Sequence, residues 1–432
     1  MTERAQNPEH RTQMPDSNDA GASDPMSDVR RPSSLLVTNI GELTTNDPER
    51  DGLLGIVEGA AVAIVDGLVR WVGHDDDLPS EYRDLHTLNI EGRAVVPGFV
   101  DAHTHAVFAG DRAAEFGARM AGASYEEILA SGGGIHSTVR ATREASFVDL
   151  IEQSVGRIRR MLQAGTTTAE VKTGYGLDVD TELKMAAAIN AIGLSVPIDL
   201  VPTFLGAHVI PPEYANDRKA FVALVTGEML DAVSGHVANI DVFCDEAAFT
   251  VEEARAVLTA GRDRELGLRI HAEQLARTGG AALAAELGAV SADHLDHATD
   301  EDLSILAAAG TAAVLLPGVS YAMRAQQPDA SRIWDSGVTV AIATDCNPGT
   351  AWIETMPYVV SLAVVQAGLA PDRSLWAATR GGAEALGLDD RGWLRQGAIG
   401  DLVVLDAPSH QHLAYRPDGD LVTAVVKAGS RV

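Results

Sequence analysis

Between residues 95 and 344 the chain alternates short apolar runs with longer amphipathic or alanine-rich stretches. The apolar runs lie near 95–100, 167–171, 197–201, 239–243, 267–271, 289–293, 311–316 and 338–344. Continuous apolar runs of this length suit strands buried on both faces, and strands that alternate with helices pack as parallel βα units. Eight such units are the number that closes a barrel. The expected fold class is therefore α/β, a (β/α)8 TIM-like barrel. In such a barrel the residues following the strands gather at one mouth. Polar residues follow nearly every run, which says where chemistry is to be sought.

The flanks read differently. Leu35-Leu36-Val37-Thr38, Ala60-Ala61-Val62-Ala63-Ile64-Val65 and Gly67-Leu68-Val69-Arg70-Trp71-Val72-Gly73 are strand-like, separated by Asp-Gly and Gly-rich turns. The stretches 394–406 and 424–429 have the same character. Both ends are expected to build one small β-sandwich, giving a division into a tail (1–34), a first sandwich part (35–94), the barrel (95–390) and a second sandwich part (391–432). The tail holds Pro, Ser, Asn, Asp and Gly without apolar periodicity, and disorder is expected there.

Composition narrows the partners. With 61 acidic against 33 basic residues the net charge is −28, which argues against binding nucleic acid or an anionic membrane and leaves a small-molecule substrate. No run of about twenty apolar residues occurs, so no membrane span is expected. The two cysteines, Cys244 and Cys346, form no CxxC pair, and a reducing cytoplasm is the expected location.

The first run ends Val95-Val96-Pro97-Gly98-Phe99-Val100-Asp101-Ala102-His103-Thr104-His105. Side chains at i and i+2 of a strand share a side, so His103 and His105 can face one metal ion. The whole phrase resembles the first barrel strand of the amidohydrolase superfamily of metal-dependent hydrolases. His271, ending the fifth run, and Asp345, ending the eighth, are the further candidate ligands. Taken singly, His271 reads equally as a hydrogen-bonded core histidine and Asp345 as a helix N-cap. Their common place at strand ends favours a site. By ligand type the ion is zinc or iron. Binuclear members of the superfamily use a bridging lysine from the fourth strand, and Asp241-Val242-Phe243-Cys244-Asp245 has none, so one Zn2+ or Fe3+ per subunit is expected. Such an ion activates water, with Asp345 placed to accept its proton. The resemblance sets His294, after the sixth run, beside the attacked carbonyl.

Further motifs resemble one group within that superfamily. They are Phe108-Ala109-Gly110-Asp111-Arg112, Ser124-Tyr125-Glu126-Glu127-Ile128, Gly132-Gly133-Gly134-Ile135, Glu170 to Leu177, Thr203 to His208 and Asp345 to Thr350. The group opens the cyclic amide of 4-imidazolone-5-propanoate, giving N-formimidoyl-L-glutamate in histidine degradation. The resemblance implies that Tyr175 and His208 hold the substrate, that Asn347, Gly349 and Thr350 line the site, and that the protein is a homodimer. Tyr125 is a further candidate, and the loop at 132–134 is expected to cover the site. Arg112 can grip a carboxylate tail through two parallel hydrogen bonds, although a surface ion pair with Asp111 or Glu115 is the plain alternative. Some members of the group carry glutamate where this chain has Gln274. A neutral amide is no base, so Gln274 is expected to hydrogen-bond the ring while Asp345 and His294 move protons. Another mononuclear amidohydrolase, such as a nucleobase aminohydrolase, would use the same ligands. A rival of another class, a metal-free scaffold that keeps the barrel for assembly, is disfavoured because the full ligand set is retained.

Overall fold

A computed structural model describes residues 33–123, 133–246, 248–418 and 420–432. The expected disordered tail up to residue 32, Tyr125 and Gly132 lie outside the described residues.

Sixteen strands form two sheets among the described residues. From the N-terminal side come β1 (Leu35–Leu43), β2 (Val57–Val65), β3 (Leu68–His74), β4 (Thr87–Asn89) and β5 (Ala94–Pro97). The middle contributes β6 (Phe99–Asp101), β7 (Thr166–Lys172), β8 (Asp199–Ala207), β9 (Asn239–Cys244), β10 (Gly267–Ala272), β11 (Ser291–His294), β12 (Ala312–Leu315) and β13 (Val340–Ile342). The C-terminal side adds β14 (Leu402–Leu405), β15 (Val422–Lys427) and β16 (Ser430–Arg431).

Strands β6 to β13 lie side by side in chain order, each parallel to the next. This is the expected barrel. Every residue of β7 is buried, as a strand covered on both faces requires. The seam between β6 and β13 is closed beyond the strand ends. Asp345 N–H donates to the His103 carbonyl and His105 N–H to the Cys346 carbonyl, both at 3.0 Å. The Asp101 carboxylate accepts from Thr344 N at 3.0 Å and from Thr344 Oγ1 at 2.6 Å. The segments carrying three candidate ligands thus close the barrel.

The other sheet runs β16-β15-β14-β5-β1-β2-β3, with β4 beside β1. It is mixed and built from both chain ends around Leu35, Val37, Ile40, Val62, Ile64, Val95, Leu402 and Val426.

Two expected strands differ in detail. The run near 95–100 is split, because β5 pairs with β14 in the terminal sheet while β6 pairs with β7 in the barrel. Gly98 sits at the crossing, where a Cβ would lie 2.3 Å from Thr167 Oγ1. The chain can pass from one sheet to the other only if that residue has no side chain. The run near 197–201 extends as β8 to Ala207, with a register irregularity against β9 between Phe204 and Ala207. That extension delivers His208 to the barrel mouth.

Candidate metal and active site

His103 and His105 follow β6, His271 lies near the end of β10, and Asp345 follows β13; all four are buried. One ligand atom from each of the three imidazoles lies within 4.8 Å of the others. Asp345 Oδ1 is 3.5 Å from His103 Nε2 and 3.4 Å from His105 Nε2. The structure therefore brings the four predicted ligands together.

Two carboxylates orient the rings. His103 Nδ1 is 2.7 Å from Asp293 Oδ2, and His271 Nδ1 is 3.1 Å from Asp241 Oδ2. With Nδ1 engaged, each ring is left with Nε2 as its remaining donor atom, the outer-shell arrangement common around metal-bound histidine. His103 Nε2 and Asp345 Oδ1 are buried without a hydrogen-bond partner. Buried polar atoms seldom lack partners, so this pair fits a cation between them. Burial also holds His103 and His105 well below their ordinary 6.5. They are neutral at physiological pH, as metal ligands must be. Burial raises Asp345 to about 7, the position of a carboxylate in want of a cation. Three imidazoles and a carboxylate suit a first-row divalent metal.

His294, the last residue of β11, places its ring 5.3 Å from that of His271 and 5.6 Å from that of His103. Its Nδ1 is buried without a hydrogen-bond partner, Asp296 Oδ2 standing 3.9 Å away, and burial keeps it neutral. His294 and Asp345 both take left-handed backbone conformations, with φ of 78° and 48°. Such conformations are uncommon for residues with side chains and cluster at functional sites.

Two of the substrate-binding candidates, His208 and Tyr175, pack together beside His105. His208 stacks on His105 at 5.2 Å between ring centroids, with its Nδ1 3.0 Å from the Gly174 carbonyl. Burial lowers it to about 3. Tyr175 is buried with its ring 5.8 Å from His105 and 5.5 Å from His208. Its loop is fastened by the buried Glu182 carboxylate, which accepts from the amides of Gly174, Gly176 and Leu177 at 2.7–3.0 Å. Sequence reasoning missed Glu182, whose only local signal is an acidic residue in an otherwise apolar helical face.

Arg112 precedes the helix Ala113–Met120, and its Nε donates to Glu115 Oε2 at 2.8 Å. The plain alternative of an ion pair with Glu115 is therefore present, while the guanidinium lies against Gly349. A Cβ on Gly349 would fall 2.2 Å from Arg112 Nη1. Asn347 turns inward on its own loop: its Oδ1 accepts from Gly349 N and Thr350 N, each at 2.8 Å, and its Nδ2 donates to the Asp345 carbonyl at 2.7 Å. Thr350 Oγ1 closes this turn at 2.9 Å from Asn347 Nδ2. Of the three, Gly349 is the one that lies directly against Arg112. Gln274 is half-buried after β10, whereas the carboxylate of neighbouring Glu273 is taken by the amides of Thr278, Gly279 and Ala281.

Sequence reasoning also missed the layer below the histidines. Glu170, Lys172, Asp241, Arg269 and Asp293 are buried there. The available signal was charge inside apolar runs: Glu170 and Lys172 are two apart on a strand, as are Arg269 and His271, and alternation sends each pair to one side.

The barrel and its metal-ready mouth define a metal-dependent hydrolase, and the chain belongs to the amidohydrolase family, whose profile matches residues 94–432. Within that family it belongs with the imidazolonepropionases. It is 50% identical over 400 residues to the imidazolonepropionase of Salinispora arenicola (strain CNS-205), covering 92% of this chain and 98% of the relative. It is 47% identical over 413 residues to that of Streptomyces avermitilis, covering 92% and 96%. Among solved structures, a Xanthomonas campestris adenosine deaminase with bound zinc matches with a TM-score of 0.68 at 21% identity, over 93% of each chain. A triazine hydrolase variant matches with a TM-score of 0.71 at 17% identity, over 92% and 94%. These structural likenesses are of fold alone.

Proposed function

We propose that this protein is an imidazolonepropionase, hydrolysing 4-imidazolone-5-propanoate to N-formimidoyl-L-glutamate. The near-complete, 50% identical match to an imidazolonepropionase carries this reading. The mouth supports it by pairing a metal-ready donor set with an arginine. In this reading His103, His105, His271 and Asp345 hold one zinc or iron ion per subunit. The bound ion would supply a water of lowered pKa and polarise the ring carbonyl.

The chain's own groups do the rest. Arg112 binds the propionate carboxylate through its two Nη atoms, while Glu115 holds Nε and fixes the direction of the fork. Tyr175 and His208 confine the planar ring. Gln274 hydrogen-bonds it. His294, neutral and beside the cluster, donates a hydrogen bond to the carbonyl oxygen as negative charge develops there. Asp345 takes a proton from the attacking water and returns it towards the ring nitrogen as the amide C–N bond breaks. Hydroxyl ends on the acyl carbon and hydrogen on nitrogen, which balances one water against one bond. In this reading the protein works on this small molecule as a homodimer in the cytoplasm. Among the described residues no helix is long and apolar enough to cross a membrane.

The test follows the ultraviolet absorbance of freshly generated imidazolonepropionate on addition of zinc- or iron-loaded protein. Decay with stoichiometric N-formimidoylglutamate is expected. An intact substrate, alongside deamination of an amino-substituted ring, would move the protein to an aminohydrolase.

A further inference from the structure

The charged layer beneath the histidines takes no part in the steps above. Lys172 Nζ meets three different carboxylates: Asp241 Oδ2 at 2.7 Å, Glu170 Oε2 at 2.8 Å and Asp293 Oδ2 at 3.5 Å. Two of these are the carboxylates that orient His271 and His103. Arg269 is placed differently. Its Nε lies 2.8 Å from Glu170 and its Nη2 3.5 Å from Asp293, and its remaining bonds run to the carbonyls of Ala385 and Ala102. Lys172 is thus the cation whose contacts reach both histidine-orienting carboxylates.

The two are not held equally. Asp293 has Ser291 Oγ at 2.5 Å and Arg269 as further partners. Asp241 is held by less among the described residues: its Oδ1 accepts from Val242 N at 2.7 Å and faces His271 Nδ1 at 3.2 Å, while its Oδ2, 3.1 Å from the same Nδ1, is fixed by the ion pair with Lys172. Removing the ammonium would leave the carboxylate anchored through Oδ1 alone and free to turn about it, and the His271 ring, which faces both oxygens, would lose its fixed direction. A compact ammonium with three donors suits a point shared by three carboxylates better than a planar fork.

We propose that Lys172 is a positioning residue for the metal centre, acting through Asp241 to hold the His271 ring with Nε2 towards the ion. The proposal rests on the assignment of His103, His105, His271 and Asp345 as ligands. Loss of such an outer-shell contact costs about 10- to 100-fold in metal affinity.

The experiment measures zinc affinity by competition with a chromogenic chelator, and the visible spectrum of the cobalt-substituted protein, for wild type, Lys172→Met, Asp241→Asn, their double variant and Glu170→Gln. Lys172→Met and Asp241→Asn should each bind zinc about tenfold or more weakly and shift the cobalt bands. The double variant should be no weaker than Asp241→Asn. Glu170→Gln, whose carboxylate hydrogen-bonds neither histidine, should keep the affinity and spectrum while melting earlier. Wild-type affinity in Lys172→Met overturns the proposal. So does an additive loss in the double variant, or a fall in Glu170→Gln as large as that in Lys172→Met. Should Lys172→Met fail to fold, the double variant, which loses one cation and one carboxylate together, is compared with Asp241→Asn: equal affinity supports the coupling, and a further tenfold drop refutes it. Wild type that binds no zinc removes the ligand assignment and the proposal together; wild type that binds it while the variants do not differ removes the proposal alone.

Discussion

Two partners lay claim to the Arg112 guanidinium, and their geometry decides what a substitution should do. Glu115 holds Nε, and the remaining edge lies over Gly349, so the arginine is aimed before substrate arrives. Arg112→Lys keeps the charge and loses the fork; Arg112→Ala loses both. Both should lower kcat/KM, with alanine worse at roughly 100- to 1000-fold, and bound metal should be unchanged because Arg112 bonds Glu115 and none of the four ligands. Gly349→Ala tests the same idea from the other side, since its Cβ would fall 2.2 Å from Nη1 and must push the guanidinium aside. The shift of about 1 Å needed to restore ordinary contact should cost on the order of 10²-fold in kcat/KM with zinc retained. Full activity in Gly349→Ala would show that the substrate does not use this arginine. At Gln274 the expectation is opposite in kind. Gln274→Glu should keep measurable turnover with an altered pH profile, whereas His294→Ala should lose about 10²- to 10⁴-fold. Equal inactivity of the two variants would return the proton-transfer role to position 274.

At the scale of the elements, the seam between β6 and β13 joins barrel closure to ligand placement. Thr344→Val would leave Asp101 Oδ2, buried, without its 2.6 Å hydroxyl donor, at a cost of about 1–3 kcal/mol in stability. The same seam carries His103, His105 and Asp345, so zinc affinity should fall with stability. Denaturant melts and chelator competition on one preparation test this, and a destabilised variant with undiminished zinc affinity would uncouple the two. The eight strands were legible because parallel strands buried on both faces leave continuous apolar runs, and the four ligand candidates because each ends such a run. The split at Gly98 was not legible: it depends on Thr167, some seventy residues away, occupying the space a side chain would need. Nor was the inward turn of Asn347, whose side chain could equally have faced substrate. The charged layer was hidden for a related reason. That Lys172 meets Asp241 and Asp293 follows from the registers of β7, β9 and β11, which local sequence does not encode.

For the molecule as a whole, the terminal sheet is joined to the barrel and its helices by ionised groups as well as by apolar contacts through Val96, Val403 and Leu405. Asp199 on β8 is gripped by Lys427 of β15 and by Arg391, each at 2.7 Å. His410 makes a second tie, with Nδ1 2.8 Å from Glu42 of β1 and Nε2 3.0 Å from Asp372 in the helix Pro371–Trp376. Burial alone would lower His410, but the hydrogen bonds to Glu42 and Asp372 outweigh it and raise it above its ordinary 6.5. Burial would likewise raise Glu42, and the bonds from His410 carry it below its ordinary 4.5 instead. The signs define a window. The His410 contribution is complete below pH 6.5 and disappears as pH climbs through the raised folded value; the Glu42 contribution is complete above pH 4.5 and disappears as pH falls through the lowered one. The tie is therefore strongest between about pH 4.5 and 6.5. Asp372 is more than half exposed, so its share is screened, and the whole should amount to about 1–2 kcal/mol. His410→Gln retains hydrogen-bonding groups and removes the charge. Its melting temperature should lie clearly below that of wild type at pH 6 and approach it at pH 9. A deficit of the same size at both pH values would mean that His410 acts by packing alone, and that the charged tie between β1 and the Asp372 helix adds nothing.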